Sequence, residues 1–449
     1  MKPASIIIPA WNGARWIADC LRAIEPQRRP DDEVIVVDNG STDATPDAVA
    51  RDFPWARLVR LERNLGFSGG VNRGLAVARG DALILINQDV VLREGCLDAL
   101  RQRLDDNRPA IVGCKLLYPD GRTIQHAGGI IRYPRAETDH RGYRQPDDGS
   151  WDTFAEVDYV TGAVFVLDRT VLRTVGLFDE GFYPAYYEEV DYCFRARKAG
   201  FAVIYEPSAV AIHHESQSHD TLSVAYYQAM QRGRLRFVLK NYTVEQLKSD
   251  FFPAEQRYVR SMPAAFAREV LASGYFNTLL NMPDLSHIVC MSDSPGAEQW
   301  PSYNLVGEII ASLSKLHFLA LHPLKTGKDP MDDQLYPIQL PALHEHDFRS
   351  KVPVIGPLIR LARRGLYRLT SKWGVLVVID QQNRINQMIA QYLMEYDRRR
   401  REYEARLIDQ DRDLTYLSRI IAELEVRQRH LAKLVPLRPD PDSKDARET

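Results

Sequence analysis

The sequence predicts an α/β protein built on a doubly wound, mostly parallel sheet. Residues 1–90 alternate short apolar runs with helical segments, which is the pattern of strands joined by crossover helices. The runs are apolar at every position, so helices should cover both faces of each strand. Two of the runs end in polar clusters, and the carboxyl ends of strands are where such sheets bind ligands.

The elements follow one another in a regular order. Strands are expected at residues 5–8, 34–37, 58–61, 83–89, 160–167 and 209–212. Helices are expected at residues 15–23, 71–78, 169–175 and 190–199. A glycine-rich loop is expected at residues 64–70, another loop at 125–129, and a polar, mobile segment at 136–152.

Composition narrows the classes of function. The 449 residues carry a net charge of -2, which gives no general electrostatic basis for binding nucleic acid. Five cysteines are scattered without metal-ligand spacing, which indicates reduced thiols in the cytosol. No apolar run approaches the roughly 20 residues that a membrane span needs, and residues 5–8 do not form the apolar core of a signal peptide.

The polar residues at two strand ends are candidates for a ligand site. Asp38 follows the second strand, and Asn87, Gln88 and Asp89 follow the fourth. A carboxylate at such a strand end can hold a divalent cation, which in turn can hold a diphosphate. Capping of the next segment is the ordinary alternative for Asp89. The Gly69-Gly70 pair could bring backbone amides close to phosphate oxygens, or could form a simple turn.

Two later clusters are further candidates. Glu188 and Glu189 lie in an aromatic-rich stretch before a helix, where desolvation could tune a catalytic base. Ordinary capping is the alternative, because carboxylates suit the N-terminal end of a helix. His213 and His214 follow the last strand and could bind a metal, although adjacent histidines are also common on protein surfaces.

Together these motifs resemble the family 2 glycosyltransferases of the GT-A fold, especially bacterial rhamnosyltransferase-like and galactofuranosyltransferase-like members. The similar motifs occur in the family's order at residues 7–13, 37–43, 64–72, 87–89, 161–163, 187–191 and 213. The resemblance implies a GT-A sheet, an inverting and metal-dependent transfer, and a nucleotide-sugar donor.

The resemblance also implies a role for each matching residue. Asp38 would bind the pyrimidine base, and Asp89 and His213 would bind Mg²⁺ or Mn²⁺, with His214 as the alternative ligand. Glu189 would be the catalytic base and Glu188 would position the acceptor. The remaining donor-site positions would be Pro9, Ala10, Asn12, Asn64, Gly70, Asn72, Asn87 and Gln88.

This sequence departs from the family pattern at two positions. Asn87 stands where the family's metal motif has an acid, which weakens the expected metal site. Glu189 stands where many relatives have aspartate, and its extra methylene shifts the expected position of the carboxylate.

The sequence predicts five regions. They are a catalytic domain at residues 1–225, a helical extension at 226–346, a basic amphipathic segment at 347–379, a coiled coil at 380–432 and a disordered tail at 433–449. Residues 357–373 place arginines opposite an apolar face, as in a helix lying on an anionic membrane or packed on protein. Residues 381–431 show apolar steps of four and three, typical of a coiled coil, with a solvated single helix as the alternative.

The predicted function is therefore a hexosyltransferase. It would move a sugar, with rhamnose among the candidates, from a UDP- or dTDP-sugar to a bacterial surface glycan or lipid-linked glycan. It would be cytoplasmic, attached peripherally to the inner face of the cell membrane, and homo-oligomeric through the coiled coil, with no nucleic-acid partner.

Two other classes of protein remain as alternatives. A nucleotidyltransferase shares the architecture, but that class has a glycine-rich loop with a basic residue after its first strand, where this chain has residues 9–13. A non-catalytic coiled-coil scaffold with a degenerate catalytic domain would be compatible with Asn87.

Overall fold

The computed structural model describes residues 3–105, 109–214, 224–262, 265–281 and 303–321. The predicted basic segment, coiled coil and tail lie outside these residues. Within the described ranges, no helix has the length and apolar character needed to cross a membrane.

Strands and helices alternate as the sequence predicts. The strands are β1 (Ala4–Ala10), β2 (Glu33–Asp38), β3 (Arg57–Arg60), β4 (Ala82–Ile86), β5 (Val90–Leu92), β6 (Ala110–Leu117), β7 (Ile124–His126), β8 (Gly129–Arg132), β9 (Glu137–His140), β10 (Ala155–Glu156), β11 (Val164–Asp168) and β12 (Ala202–His213). The helices are α1 (Ile17–Ile24), α2 (Thr45–Asp52), α3 (Gly66–Val77), α4 (Cys96–Asp105), α5 (Arg169–Val175), α6 (Glu188–Lys198), α7 (Val224–Asn241), α8 (Phe252–Ser261), α9 (Ala265–Leu280) and α10 (Tyr303–Leu321).

A mixed sheet forms the centre of the described region. Its main order is β10-β12-β6-β11-β4-β1-β2-β3, with β5 paired to β12 and β7 to β6. The half made of β4, β1, β2 and β3 is parallel, and Ala10 pairs with Asp38 at the carboxyl ends. In the other half β11 runs antiparallel between β4 and β6, so the predicted α/β architecture is confirmed with a mixed sheet.

Helices cover both faces of this sheet. On one face Ile6 and Ile8 pack in a buried cluster with residues of α1, α2 and α4. On the other face α3 lies so close that a methyl group at Gly74 would come within 2.3 Å of Ile7 Cγ2. Alternate residues of β1 thus contact opposite helix layers, which explains why every position in the run is apolar.

Three loop predictions are wrong. Residues 64–70 are not all loop, since α3 begins at Gly66. Residues 125–129 include parts of β7 and β8, which are stabilised by pairing with other strands rather than by a local pattern. The segment 136–152 contains β9 and carries Asp147 and Asp152, which form ion pairs with the buried Lys115 of β6.

Candidate active site

The loops that follow β1 and β2 hold each other at the carboxyl edge of the sheet. Asn12 Oδ1 accepts a hydrogen bond from the Thr42 amide at 2.8 Å, and the Asn12 amide donates to Ser41 Oγ at 2.9 Å. Asp38 is buried between these loops and accepts from the Ser41 amide at 3.0 Å. Ala10 accepts from the Asn39 amide at 2.7 Å. The structure therefore brings Ala10, Asn12 and Asp38 together, and their contact with a nucleotide stays a prediction.

Gln88 and Asn72, two predicted donor-site residues, are bonded to protein backbone. Gln88 Oε1 accepts from the Trp11 amide at 3.0 Å, and its Nε2 donates to the Trp11 carbonyl at 3.1 Å. Asn72 is buried and bonds the Phe178 carbonyl at 2.9 Å and amide at 3.0 Å. Contact of these two side chains with a donor stays a prediction. In the structure each side chain connects two segments that are distant in sequence.

Asn39 organises the other predicted donor positions, and sequence reasoning gave it no role. Its Nδ2 donates to Asn64 Oδ1 at 3.1 Å and to the Gly66 carbonyl at 2.9 Å. Gly70 lies against it, because a Cβ there would be 3.2 Å from Asn39 Nδ2 and 3.4 Å from Pro9 Cβ. The position of Asn39 directly after Asp38, at a strand end, is the sequence signal that could have identified this role.

The pairing of β5 with β12 brings the two predicted metal ligands together. Val90 is opposite His213 in the register, and the His214 amide donates to the Asp89 carbonyl at 3.0 Å. His213 Nε2 lies 3.4 Å from Asp89 Oδ1. Burial opposes ionisation of Asp89, but the hydrogen bond with His213 holds the pKa of this carboxyl below its usual value.

Gln125 orients His213, and the sequence gave no signal for it. Its Oε1 lies 2.8 Å from His213 Nδ1, across 88 positions of sequence. With this oxygen accepting, Nδ1 carries a hydrogen, and Nε2 can either share a proton with Asp89 or offer a lone pair to a metal. His214 instead packs its ring on Trp16, with centroids 4.5 Å apart, so His213 is the better placed of the two histidines.

The pair of Asp89 and His213 is compatible with part of a metal site. Asp89 Oδ2 is buried without a hydrogen-bond partner, and Oδ1 faces His213 Nε2, so a cation or a proton suits the space between them. No group of three or more His, Cys, Asp or Glu side chains in the described residues could hold a metal. Mg²⁺ is commonly held by one or two carboxylates together with substrate phosphates and water, so a bound diphosphate would complete the site.

A left-handed turn presents the paired acids. Tyr186 and Tyr187 have φ angles of 83° and 73°, a conformation that residues other than glycine adopt only at a cost in free energy. The α6 helix begins directly after them at Glu188. Strain of this kind persists where the surrounding structure enforces it, and it commonly accompanies a functional site.

Backbone contacts connect Glu189 to the end of β4. The Gly162 amide lies close enough to the Glu189 carboxylate to favour its ionised form, and the next residue, Ala163, accepts from the Asn87 amide at 2.9 Å. Gly162 has no room for a side chain, since a Cβ would lie 2.9 Å from the Phe67 ring. The structure thus brings Glu189 beside the strand end that carries Asn87 and Asp89.

The two glutamates have different environments. Burial raises the pKa of Glu188 well above its usual value, and the neighbouring charge of Glu189 raises it further. Burial raises the pKa of Glu189 to about 7, although nearby backbone amides act in the opposite direction. Glu188 is almost fully buried and Glu189 is partly exposed. Near neutral pH the structure therefore favours a protonated Glu188 next to a Glu189 that can accept a proton.

Comparison with known proteins gives the family. The family model described as "Glycosyl transferase family 2" matches residues 5–160. The N-acetylglucosaminyl-diphospho-decaprenol L-rhamnosyltransferase of Mycobacterium tuberculosis (strain ATCC 25618 / H37Rv) is 32% identical over 213 residues, which cover 41% of this chain and 67% of that protein. The chain belongs to the family 2 glycosyltransferases.

Other relatives match over a smaller part of their length. O-antigen biosynthesis protein RfbC of Myxococcus xanthus is 30% identical over 224 residues, which cover 48% of this chain and 17% of that protein. An uncharacterized protein of Sinorhizobium fredii is 31% identical over 208 residues, which cover 41% of this chain and 21% of that protein. The chain thus spans about a fifth of the length of these two relatives.

Among solved structures, GalNAc-T7 with UDP, GalNAc and Mn²⁺ overlaps with a TM-score of 0.44 at 14% identity. The overlap covers 59% of this chain and 52% of that one. An overlap of this extent gives no conclusion about ligands.

The raised pKa of Glu189 predicts an effect on stability. The folded state prefers protonated Glu189, so its ionisation lowers stability as pH rises from the unfolded pKa of about 4.5 to above about 7. Glu189→Gln should therefore be more stable than the wild type by on the order of 2 kcal/mol at about pH 8, and no more stable below about pH 4. Thermal unfolding of both proteins across this range measures the difference.

Glu94→Gln is the matched control, because Glu94 is exposed and its replacement should give no pH-dependent difference. A constant difference between wild type and Glu189→Gln at all pH values would contradict the assigned environment of Glu189.

Proposed function

We propose that this protein is an inverting glycosyltransferase that uses a nucleotide-sugar donor and a divalent cation. The observation that carries the proposal is the convergence of Asp38, Asp89 with His213, and Glu189 at one edge of the sheet. Each group would serve one part of the substrates. Asp38 would serve the nucleotide, Asp89 with His213 the diphosphate and its cation, and Glu189 the acceptor hydroxyl. Family membership supports the same reaction class.

Glu189 would accept the proton of the acceptor hydroxyl as that oxygen attacks the anomeric carbon. A base with a pKa near the working pH is efficient, because it is ionised often enough and is still basic. The protonated Glu188 can donate a hydrogen bond, and it would position another acceptor hydroxyl. Inversion requires the base and the leaving diphosphate on opposite faces of the sugar.

Asp89 and His213 would hold the cation, Mg²⁺ or Mn²⁺, which would neutralise the departing diphosphate. Asp38 would bind the base of the nucleotide, as family resemblance suggests. Asn87 adds an amide oxygen at this edge where an acid would add a negative charge. The proposed site would therefore place one negative charge fewer beside the diphosphate than a site with two acids.

The identity of the substrates is also part of the proposal. The donor would be a UDP- or dTDP-sugar carrying rhamnose or a related hexose, and the acceptor would be a lipid-linked or surface glycan of a bacterium. The support is the similarity to the M. tuberculosis N-acetylglucosaminyl-diphospho-decaprenol L-rhamnosyltransferase and to the O-antigen biosynthesis protein of M. xanthus.

The metal and donor assignment is tested by binding. The protein should show donor-dependent thermal stabilisation with one of a set of UDP-, dTDP- and GDP-sugars and Mn²⁺, worth about 2.7 kcal/mol at 100 times the dissociation constant. Asp89→Ala should lose this metal-dependent stabilisation and turnover while still folding. Asp98→Ala, at an exposed position on α4, should behave as the wild type. Turnover by Asp89→Ala close to that of the wild type would refute the assignment.

The catalytic base is tested by comparing two variants. Glu189→Gln should lose roughly 10²–10⁴ in turnover with little change in donor affinity, because the amide cannot accept a proton. Glu188→Gln should keep most of its turnover, since glutamine imitates the protonated acid. Wild-type turnover should rise with pH through about pH 7, where Glu189 ionises. The opposite ranking of the two variants would exchange their roles.

Membrane attachment and self-association rest on sequence pattern alone, in residues 347–432. The full chain should float with anionic liposomes, and replacing Arg360, Arg363, Arg364 and Arg368 with alanine should abolish this binding. Equal flotation with neutral liposomes would refute an electrostatic attachment.

Deletion of residues 381–449 should lower the mass measured by light scattering if the coiled coil is the oligomer interface.

A further inference from the structure

The helical extension contacts the turn that carries the paired acids. Gly233 of α7 lies against this turn, and a Cβ there would be 2.5 Å from the Tyr186 carbonyl oxygen and 3.1 Å from Tyr187 Cβ. The clash would be with backbone, which cannot rotate away as a side chain can. Helix α7 and the left-handed turn therefore fix each other's position at the residue where α6 begins.

A second contact holds the same turn from the ribbon of β8 and β9. The buried Tyr187 hydroxyl donates to the Ala136 carbonyl at 2.8 Å. The preceding carbonyl, that of Arg135, accepts from Arg234 Nη1 of α7 at 2.9 Å. The acid turn thus holds the Ala136 carbonyl, and α7 of the extension holds the Arg135 carbonyl before it. A displacement of α7 would change the position of the acceptor that Tyr187 uses.

Helix α7 is itself anchored by a buried ionic network. Arg234 pairs with Glu255 of α8, and both side chains are almost completely buried. Glu255 also accepts from Arg135 Nε at 2.8 Å and from the Tyr275 hydroxyl at 2.6 Å. A buried charge pair whose remaining atoms are bonded gives a specific geometry more than it gives stability. The network therefore defines where α7 lies relative to the turn.

The C-terminal end of α7 holds α6 as well. Asp191 of α6 is fully buried and accepts from Lys240 Nζ at 2.8 Å and from Asn241 Nδ2 at 2.9 Å. Phe237, between Gly233 and this end, packs on Phe194 of α6 with ring centroids 5.3 Å apart. Contacts from the middle of α7 to its C-terminal end resist rotation of α6, which carries both glutamates.

We propose that the extension formed by α7 and α8 is a positioning element for the paired acids, with Gly233 and Tyr187 as its positioning residues. The extension holds the left-handed turn closed, and this keeps Glu189 in position and shielded from water. The inference rests on the proposed function, because it assigns Glu189 as the base, and it adds a role for a region without a catalytic motif.

Gly233→Ala tests the contact without removing a hydrogen bond. Turnover should fall about 10- to 100-fold, since a displacement of about 1 Å is enough for such a loss, and donor KM should stay within about twofold. The acid limb of the pH–rate profile should move below about pH 7, because an opened turn hydrates Glu189 and lowers its pKa. Gly80→Ala is the control, because a methyl group there would also meet backbone, 2.5 Å from the Ser5 nitrogen at the start of β1, away from the turn.

Tyr187→Phe tests the second contact should Gly233→Ala fail to fold. Tyr205→Phe is its matched control, because the buried Tyr205 also donates its hydroxyl to a backbone carbonyl, that of Trp151 at 3.0 Å, away from the turn. Both variants should lose similar thermal stability. Only Tyr187→Phe should lose turnover, about 3- to 10-fold, and shift the pH profile.

A readout that needs no activity separates this inference from the proposed function. In the wild type, ionisation of Glu189 should lower thermal stability between about pH 5 and pH 8. This decrease should be smaller in Gly233→Ala and Tyr187→Phe, and it should be unchanged in the two controls. Unchanged pH dependence and unchanged turnover in both variants would overturn the inference. An inactive wild type whose variants still change this pH dependence would refute only the proposed function.

Discussion

The candidate site depends on burying carboxylates at the edge of a sheet. Moving a charged carboxylate out of water costs several kcal/mol unless hydrogen bonds or opposite charges compensate. The interaction that compensates for burial differs from one acid to the next. Asp38 accepts a hydrogen bond from a backbone amide, and Asp89 faces the His213 imidazole. Glu188 and Glu189 each keep a buried oxygen without a partner. Asp89 is suited to remain ionised, Glu188 to stay protonated, and Glu189 to exchange a proton.

The strand ends that carry Asp38 and Asp89 could be predicted because the information is local. An apolar run shows a buried strand, and a polar residue after it shows where the strand leaves the core. The approach of Asp89 to His213 depends instead on the pairing of β5 with β12, 120 or so positions apart, which no local pattern reveals. Family resemblance supplied that pair, and the position of Gln125 behind it came only from the structure.

The errors have a related physical cause. The strands β7, β8 and β9 are three or four residues long, too short for alternation to be recognised, and their partners give them their conformation. The glycines of residues 66–70 suggested a loop because glycine weakens a helix. In the structure Gly70 allows α3 to lie directly on Pro9 of β1 and on Asn39, and Gly66 lies against the Pro184 carbonyl. Close packing required them there more than loop flexibility did.

In the proposed metal site, Asn87 in place of the family's acid would couple the binding of the cation to that of the donor. One carboxylate and one imidazole are too few ligands to hold a divalent cation tightly, whereas a diphosphate would contribute further oxygens and two or more negative charges. The cation and the donor should then each strengthen the binding of the other by the same factor, because coupling between two ligands is reciprocal. A site of this kind remains weakly charged until the donor arrives. Once the sugar leaves, the remaining nucleotide keeps the oxygens that hold the cation, so metal and nucleotide would also depart together.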